Sequence, residues 1–274
     1  MSDRAHLDLV RLGTTAGADE IKDTAVTQPL VVASALLGAQ NLNIPAGAVI
    51  AGHSVGELAA AALAGVLPAL DAVDLAAVRG SAMSAACALT PTGMSALMGG
   101  DVDTVLAVLE ELDLVGANVN GGGQIVAAGT VDALAQLVAS PPDGVRVIPL
   151  PVAGAFHTSF MGSAESAVEA HLAGITPADP VHPLLTNSDG SVIASGATYL
   201  TLLAAQITRP VRWDLCMQTL RSLGVTGVLE LPPAGTLIGL VKRDLKGVAT
   251  MALKSPADLD NAAAFAAEHA GVRA

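Results

Sequence analysis

A chain of 274 residues that is 52% apolar but only 2% aromatic must build its core from alanine, valine and leucine, which suits helices packed on a parallel sheet. Its net charge of −12 argues against nucleic acid or an anionic membrane as partner, and no apolar run is long enough to span a bilayer. Two cysteines, Cys87 and Cys216, make neither a disulfide framework nor a metal-ligating pair, and no cationic leader precedes an apolar stretch. The expectation is therefore a reduced, cytoplasmic protein.

Residues 3–13 read as the tail of a helix. Thr27-Gln28-Pro29 opens a second helix running to about residue 42, with Pro29 tolerated in its first turn. A strand over 48–51 then leads into Gly52-His53-Ser54-Val55-Gly56-Glu57, a Gly-x-Ser-x-Gly turn before a helix over 58–67. A serine in such a turn is held out on a tight backbone that glycines on either side allow. The Val55 N–H, at the positive end of the helix, points towards whatever the serine attacks. Ser54 is thus a candidate nucleophile, although a chain with 28 glycines also produces ordinary turns of this pattern. The next helix, 70–88, carries Arg79 among Ala, Val, Leu and Met, and Asp74, five residues back, is off its face. Its guanidinium either reaches solvent along its stem or lies buried awaiting a carboxylate, for which the planar fork is suited.

After Thr90-Pro91-Thr92 the rhythm changes. Strand 93–98, helix 102–112, strands 115–119 and 124–128, helix 131–138 and strand 145–149 give the order βαββαβ, the ferredoxin-like unit. It reads as a small domain, 89–151, inserted into a larger one formed by 1–88 and 152–274. Beyond it follow helix 158–172, strand 183–188, helices 200–207 and 213–223, strand 227–231, helix 236–245, strand 248–252 and helix 258–270. Strand–helix alternation in the outer segments implies an α/β, hydrolase-like parallel sheet covered on both faces, with its ligand crevice at the strand ends where Ser54 lies.

A nucleophilic serine needs a base. His6, His171, His182 and His269 sit in polar or terminal settings, and His53 should point away from its neighbour. His157, in the loop where the chain re-enters the large domain, is the remaining candidate, beside a plain structural role. No Asp or Glu falls at the end of a large-domain strand between Ser54 and His157, so a backbone carbonyl or amide is expected to fix the imidazole tautomer. Seven of the 13 Lys and Arg fall between Arg209 and Lys254, either a face for an acidic partner or an ordinary solvated surface.

Taken together, these segments resemble the malonyl-CoA:acyl-carrier-protein transacylase family in its actinobacterial form. The matching pieces include Thr27-Gln28-Pro29, Gly52-His53-Ser54-Val55-Gly56-Glu57, Arg79-Gly80 with Met83, Gly93-Met94-Ser95-Ala96 and Ala117-Asn118-Val119-Asn120. They continue through Gly123 to Gly129, Gly154-Ala155-Phe156-His157, Gln206 with Pro210-Val211-Arg212-Trp213, and Gly235-Thr236-Leu237 with Lys242-Arg243. The resemblance implies malonyl transfer from malonyl-CoA to acyl carrier protein for fatty-acid synthesis, without a cofactor. It implies Ser54 as the acylated serine, His157 as base and Arg79 as holder of the malonyl carboxylate. It also implies that the Gln206 carbonyl orients the histidine, that Gln28 and Met83 line the acyl tunnel, and that Phe156 leaves no room for an α-methyl branch. The family opens with a strand and a Gly-Gln-Gly-x-Gln loop whose glutamine amide partners the Val55 N–H. This chain starts in what corresponds to the following helix, which reads as an internal methionine of a longer natural chain. Two further readings stay beside the transferase: a serine esterase or thioesterase, and a carrier-binding module with impaired turnover.

Overall fold

The computed structural model describes residues 1–152 and 154–270. Short helices Ser2–Ala5 (α1), Leu9–Thr14 (α2) and Ala18–Ile21 (α3) open the chain. The continuous helix expected over 3–13 is broken, because His6 takes a left-handed φ of 53° and Asp8 starts a new helix by accepting the Arg11 N–H at 3.0 Å. Thr24–Ala39 (α4) begins three residues earlier than expected, since Asp23 caps it and accepts the Ala25 N–H at 2.9 Å. Pro29 consequently lies inside the helix and not in its first turn, so the Ala25 carbonyl lacks its usual helical donor. Gly56–Leu63 (α5) and Ala69–Cys87 (α6) complete an alanine-rich helical layer. Helices α4 and α6 approach closely at Gly80, where a β-carbon would come within 2.6 Å of the Thr24 carbonyl oxygen.

Thr92–Met98 (β1), Val102–Glu111 (α7), Val115–Gly121 (β2), Gln124–Thr130 (β3), Val131–Ala139 (α8) and Arg146–Pro149 (β4) follow in βαββαβ order. Their strands pair antiparallel as β4-β1-β3-β2 around a separate core containing Leu97, Val105, Leu109, Ile125 and Leu137. Asp101 and Thr130 start the two helices, accepting from the Thr104 and Ala133 N–H groups.

The rest comprises Gly162–Leu172 (α9), Leu184–Leu185 (β5), Val192–Ile193 (β6), Gly196–Ala205 (α10), Val211–Arg212 (β7) and Trp213–Ser222 (α11). Gly227–Glu230 (β8), Thr236–Asp244 (α12), Ala249–Ala252 (β9) and Leu259–Glu268 (α13) complete it. Three local expectations are corrected. Residues 158–161 do not join α9: Ser159–Met161 forms a separate tight turn because the Thr158 hydroxyl accepts the Phe160 N–H. The strand expected over 183–188 pairs only at Leu184–Leu185, since the chain turns back at Gly190 (φ 73°) and β6 pairs with it antiparallel. Among the described residues, 48–51 have a partner on one side only, so that strand reduces to a parallel bridge between Ile50 and Leu184. The α/β class holds, with the parallel pairing of the large unit in two patches, Ile50 with Leu184 and β8 with β9. A cavity of about 870 Å³ lies between them. Strand β7 lies parallel to β2, on its free edge, and joins the small sheet to the segment after α10. Among the described residues no helix is long and apolar enough to cross a membrane.

Candidate active site

The turn between residues 48–51 and α5 holds Ser54 at a left-handed φ of 52°. Gly52 is indispensable to it, because a β-carbon there would lie 2.1 Å from the Gly56 carbonyl carbon. Gly56 faces open space, so the expectation that both glycines serve the turn is corrected to one. Asn187 braces the turn from the end of β5: its Oδ1 accepts the Ser54 N–H (2.7 Å) and its Nδ2 donates to the Gly52 carbonyl (2.8 Å). The Val55 N–H stands at the N-terminus of α5, the end at which helix amides collect positive charge.

His157 reaches Ser54 from the other side of the chain's long excursion through the small sheet. Its Nε2 lies 2.8 Å from Ser54 Oγ and its Nδ1 2.7 Å from the Gln206 carbonyl oxygen. A carbonyl can only accept, so Nδ1 carries the proton and Nε2 is left to accept from the serine hydroxyl. His157 also has a left-handed φ, 61°. Backbone strain of about 1–3 kcal/mol per residue is thus stored at both reacting side chains.

Burial, and then the nearby Arg79 charge, lower the His157 pKa to about 3, so the imidazole is neutral at pH 7. This has a consequence for stability. The unfolded chain takes up a proton near pH 6.5 and the folded protein near 3, so stability falls as pH drops through that window. In His157→Gln the acid-side loss, followed by thermal unfolding between pH 6.5 and 4, should be shallower by up to about 1.4 kcal/mol per pH unit. Identical slopes in both proteins would mean that His157 is protonated in the fold.

Arg79 does not reach solvent; it is 3% exposed. Nη1 donates to Gln28 Oε1 (2.6 Å), and Nη2 to Gln206 Oε1 (2.9 Å) and to Ser54 Oγ (3.2 Å). Among the described residues no carboxylate lies within ion-pair distance of it. Burial lowers its pKa to about 10, which leaves it charged at pH 7. The nearest acid, Glu57, is itself pushed up to about 8 by burial and is engaged elsewhere, accepting from the Asn187 N–H (2.6 Å) and Gln206 Nε2. The site therefore holds a buried cation coordinated by neutral oxygens beside a hydroxyl.

Gln28 is fixed by donating to Thr24 Oγ1 (2.8 Å) and Met83 Sδ (3.4 Å), which brings Met83 to the same cluster. Phe156 lies half-buried where the large core meets the cluster of Met94, Ala117 and Ala155. The structure thus brings Ser54, His157, Arg79, Gln206, Gln28 and Met83 into one connected network and leaves Phe156 at its border. Asn187, Glu57 and the Gln206 side chain are members that the sequence reading missed. Glu57 had a signal, as the one acid in an otherwise apolar helix start, whereas Asn187 had none.

Residues 7–264 match the acyl transferase domain family. The chain belongs to this family. It is 56% identical to the malonyl CoA-acyl carrier protein transacylase of Mycobacterium tuberculosis, over 96% of this chain and 88% of that protein. The corresponding Escherichia coli protein is 32% identical over 91% of this chain and 84% of its own length. The crystal structure of MCAT from Mycobacterium tuberculosis superposes with a TM-score of 0.92 over 96% of this chain and 88% of that one. A malonyl-transacylase solved in complex with a type II PKS acyl-carrier protein, 28% identical, gives 0.89 over 96% of this chain and 88% of that one.

In this acyl transferase the other histidine of the turn, His53, points away from Ser54. It lies 2.8 Å from Asn120 Oδ1 of β2 and packs edge-on to Trp213, which seats the turn against the small sheet. Of the cations clustered between Arg209 and Lys254, Arg212 pairs with Asp214 and Arg221 with Asp244. Arg209, Lys242, Arg243, Lys246 and Lys254 are exposed and make no ion pair among the described residues. No group of three or more His, Cys, Asp or Glu able to hold a metal occurs among the described residues.

Proposed function

We propose that this acyl transferase moves the malonyl group of malonyl-CoA to the phosphopantetheine thiol of acyl carrier protein, through a malonyl-serine intermediate, in fatty-acid synthesis. The observation that carries the reading is Arg79, a buried charge with no carboxylate at ion-pair distance among the described residues, 3.2 Å from Ser54 Oγ. A guanidinium so placed matches an acyl group that bears its own carboxylate, and the two charged hydrogen bonds it offers are worth about 1.5–3 kcal/mol each.

Ser54 gives its proton to His157 Nε2 as Oγ attacks the thioester carbonyl, with Arg79 holding the free carboxylate. The Val55 N–H faces the developing oxyanion. The carbon–sulfur bond breaks, and the CoA sulfur takes the proton back from the imidazolium, leaving malonyl on Ser54. The second half repeats these steps in reverse order: the carrier's thiol loses its proton to His157, attacks the ester, and Ser54 recovers its hydroxyl. Throughout, the Gln206 carbonyl keeps the proton on Nδ1 and stabilises the imidazolium. Gln28 and Met83 flank the acyl group, and Phe156 narrows the space for an α-branch, a discrimination of about 1–3 kcal/mol. The exposed cations from Arg209 to Lys254 suit an acidic carrier surface. We read residues 1–88 and 152–274 as the catalytic unit, 89–151 as an insertion, and the cytoplasm as the place of action.

The test is incubation with labelled malonyl-CoA, peptide mapping, and chase with holo-carrier protein. Label is expected on Ser54 and then on the carrier thiol, faster than its release to water. Label elsewhere would end the proposal, and release to water outpacing transfer would make the protein a thioesterase.

A further inference from the structure

Gln206 serves the site with both its halves. Its backbone carbonyl holds His157 Nδ1, and its side-chain Oε1, 2.9 Å from Arg79 Nη2, is one of the neutral oxygens around the guanidinium. A primary amide keeps nearly the same shape when turned over, so its partners decide which end faces which way. Arg79 offers only donors and takes the oxygen. The opposite end, Nε2, belongs to a buried residue and must meet acceptors. It finds three: Glu57 Oε2, the Ser54 carbonyl (3.2 Å) and Asn187 Oδ1 (3.3 Å).

Glu57 is the one carboxyl group of this set. It stands buried in the first turn of α5, and its own N–H donates to the Ser54 carbonyl (3.0 Å), so its place is set by the serine turn. Its other oxygen, Oε1, accepts the Asn187 N–H (2.6 Å). Two donors thus face one carboxyl group, the first from a fixed backbone and the second from a side chain free to turn. A carboxyl group meets both, since each oxygen keeps a lone pair whether or not a proton is bound. An amide in its place cannot, because its NH2 must face one of the two donors. Among the described residues Glu57 lies within ion-pair distance of no cation, so its contact with Arg79 runs through Gln206.

We infer that Glu57 is a positioning residue for acyl-group selection: through Gln206 it keeps an oxygen turned to Arg79 and so holds the guanidinium aimed at a carboxylate on the acyl group. The inference rests on the proposed malonyl transfer. It assigns to Glu57 an effect on malonyl more than on thioester chemistry in general. The Gln206 carbonyl that serves His157 is placed by the end of α10, where the Gln206 N–H donates to the Leu202 carbonyl (2.9 Å). The Asn187 brace needs only one oxygen of Glu57.

Glu57→Gln isolates this arm, because it keeps the size and an oxygen for the Asn187 N–H while setting a donor against Gln206 Nε2. It is expected to lower kcat/KM for malonyl-CoA about ten-fold and to change that for acetyl-CoA by less than about three-fold. In an Arg79→Met background the same substitution should change malonyl transfer by less than about two-fold, since a clamp already removed cannot be misaimed. Gln206→Met keeps the backbone carbonyl and removes the side-chain oxygen. It should reproduce the malonyl-selective loss, and it decides the matter if Glu57→Gln does not fold. Equal falls for the two thioesters, or additive losses in the double variant, would show a general structural role and overturn the inference. So would unchanged selectivity in Glu57→Gln beside lost selectivity in Arg79→Met, and these outcomes leave the functional reading standing. Wild-type protein that moves no malonyl, or Arg79→Met that keeps its selectivity, would end that reading and the inference together.

Discussion

Ser54→Ala is expected to lower malonyl transfer by about 10⁴–10⁶-fold and to abolish the rapid release of CoA that accompanies acylation. The size follows from the geometry. Among the described residues Ser54 Oγ is the one atom that meets both the imidazole at 2.8 Å and the guanidinium at 3.2 Å, so none of their hydroxyls is placed to inherit its role. The fold should survive, since the brace from Asn187 acts on the Ser54 amide and not on its side chain. Rapid-quench measurement of CoA together with mass analysis of the protein checks this. A variant that still gains one malonyl mass at the native rate would remove Ser54 from the mechanism.

Arg79→Met should produce the second largest change, and one selective for the acyl group. Two charged hydrogen bonds at about 1.5–3 kcal/mol each imply a fall of about 10²–10⁴-fold in kcat/KM for malonyl-CoA. Acetyl-CoA has no carboxylate and should change by less than about ten-fold. Loss of the charge also removes one of the two main influences that hold the His157 pKa down, so the acid limb of the rate profile should move towards neutral pH. Parallel kinetics with the two thioesters decide the matter. An equal fall for both would mean that Arg79 serves the Ser54 hydroxyl and not the substrate's anion.

Much of this architecture was legible in the sequence. The small unit gave itself away through short periodic segments separated by Gly, Pro and Asp, because each of its elements is stabilised by local caps and neighbouring strands. The ends of the large-unit elements were less legible. Pro29 suggested a first turn, yet Asp23 supplied a better cap; 183–188 looked like one strand, yet Gly190 folds it back. In the site, Ser54, Arg79 and His157 stood out because each is a chemically capable group in an apolar or glycine-rich setting. Asn187 did not, and Glu57 showed only as a lone acid in an apolar helix start, since the importance of both lies in partners more than a hundred residues away, the Ser54 amide for one and the Asn187 amide for the other. No local pattern encodes such a bond.

The short strand β7 bears on how substrates enter. Val211–Arg212 pairs with Asn118–Val119, the Arg212 N–H donates to the Asn187 carbonyl (2.8 Å), and Gln206 lies five residues upstream. A swing of the βαββαβ unit would therefore tug on the very stretch whose carbonyl anchors the imidazole. Opening like a jaw would disarm the enzyme with each cycle. The long pantetheine arms of donor and acceptor must instead thread a standing gateway, one after the other, while the rims stay put.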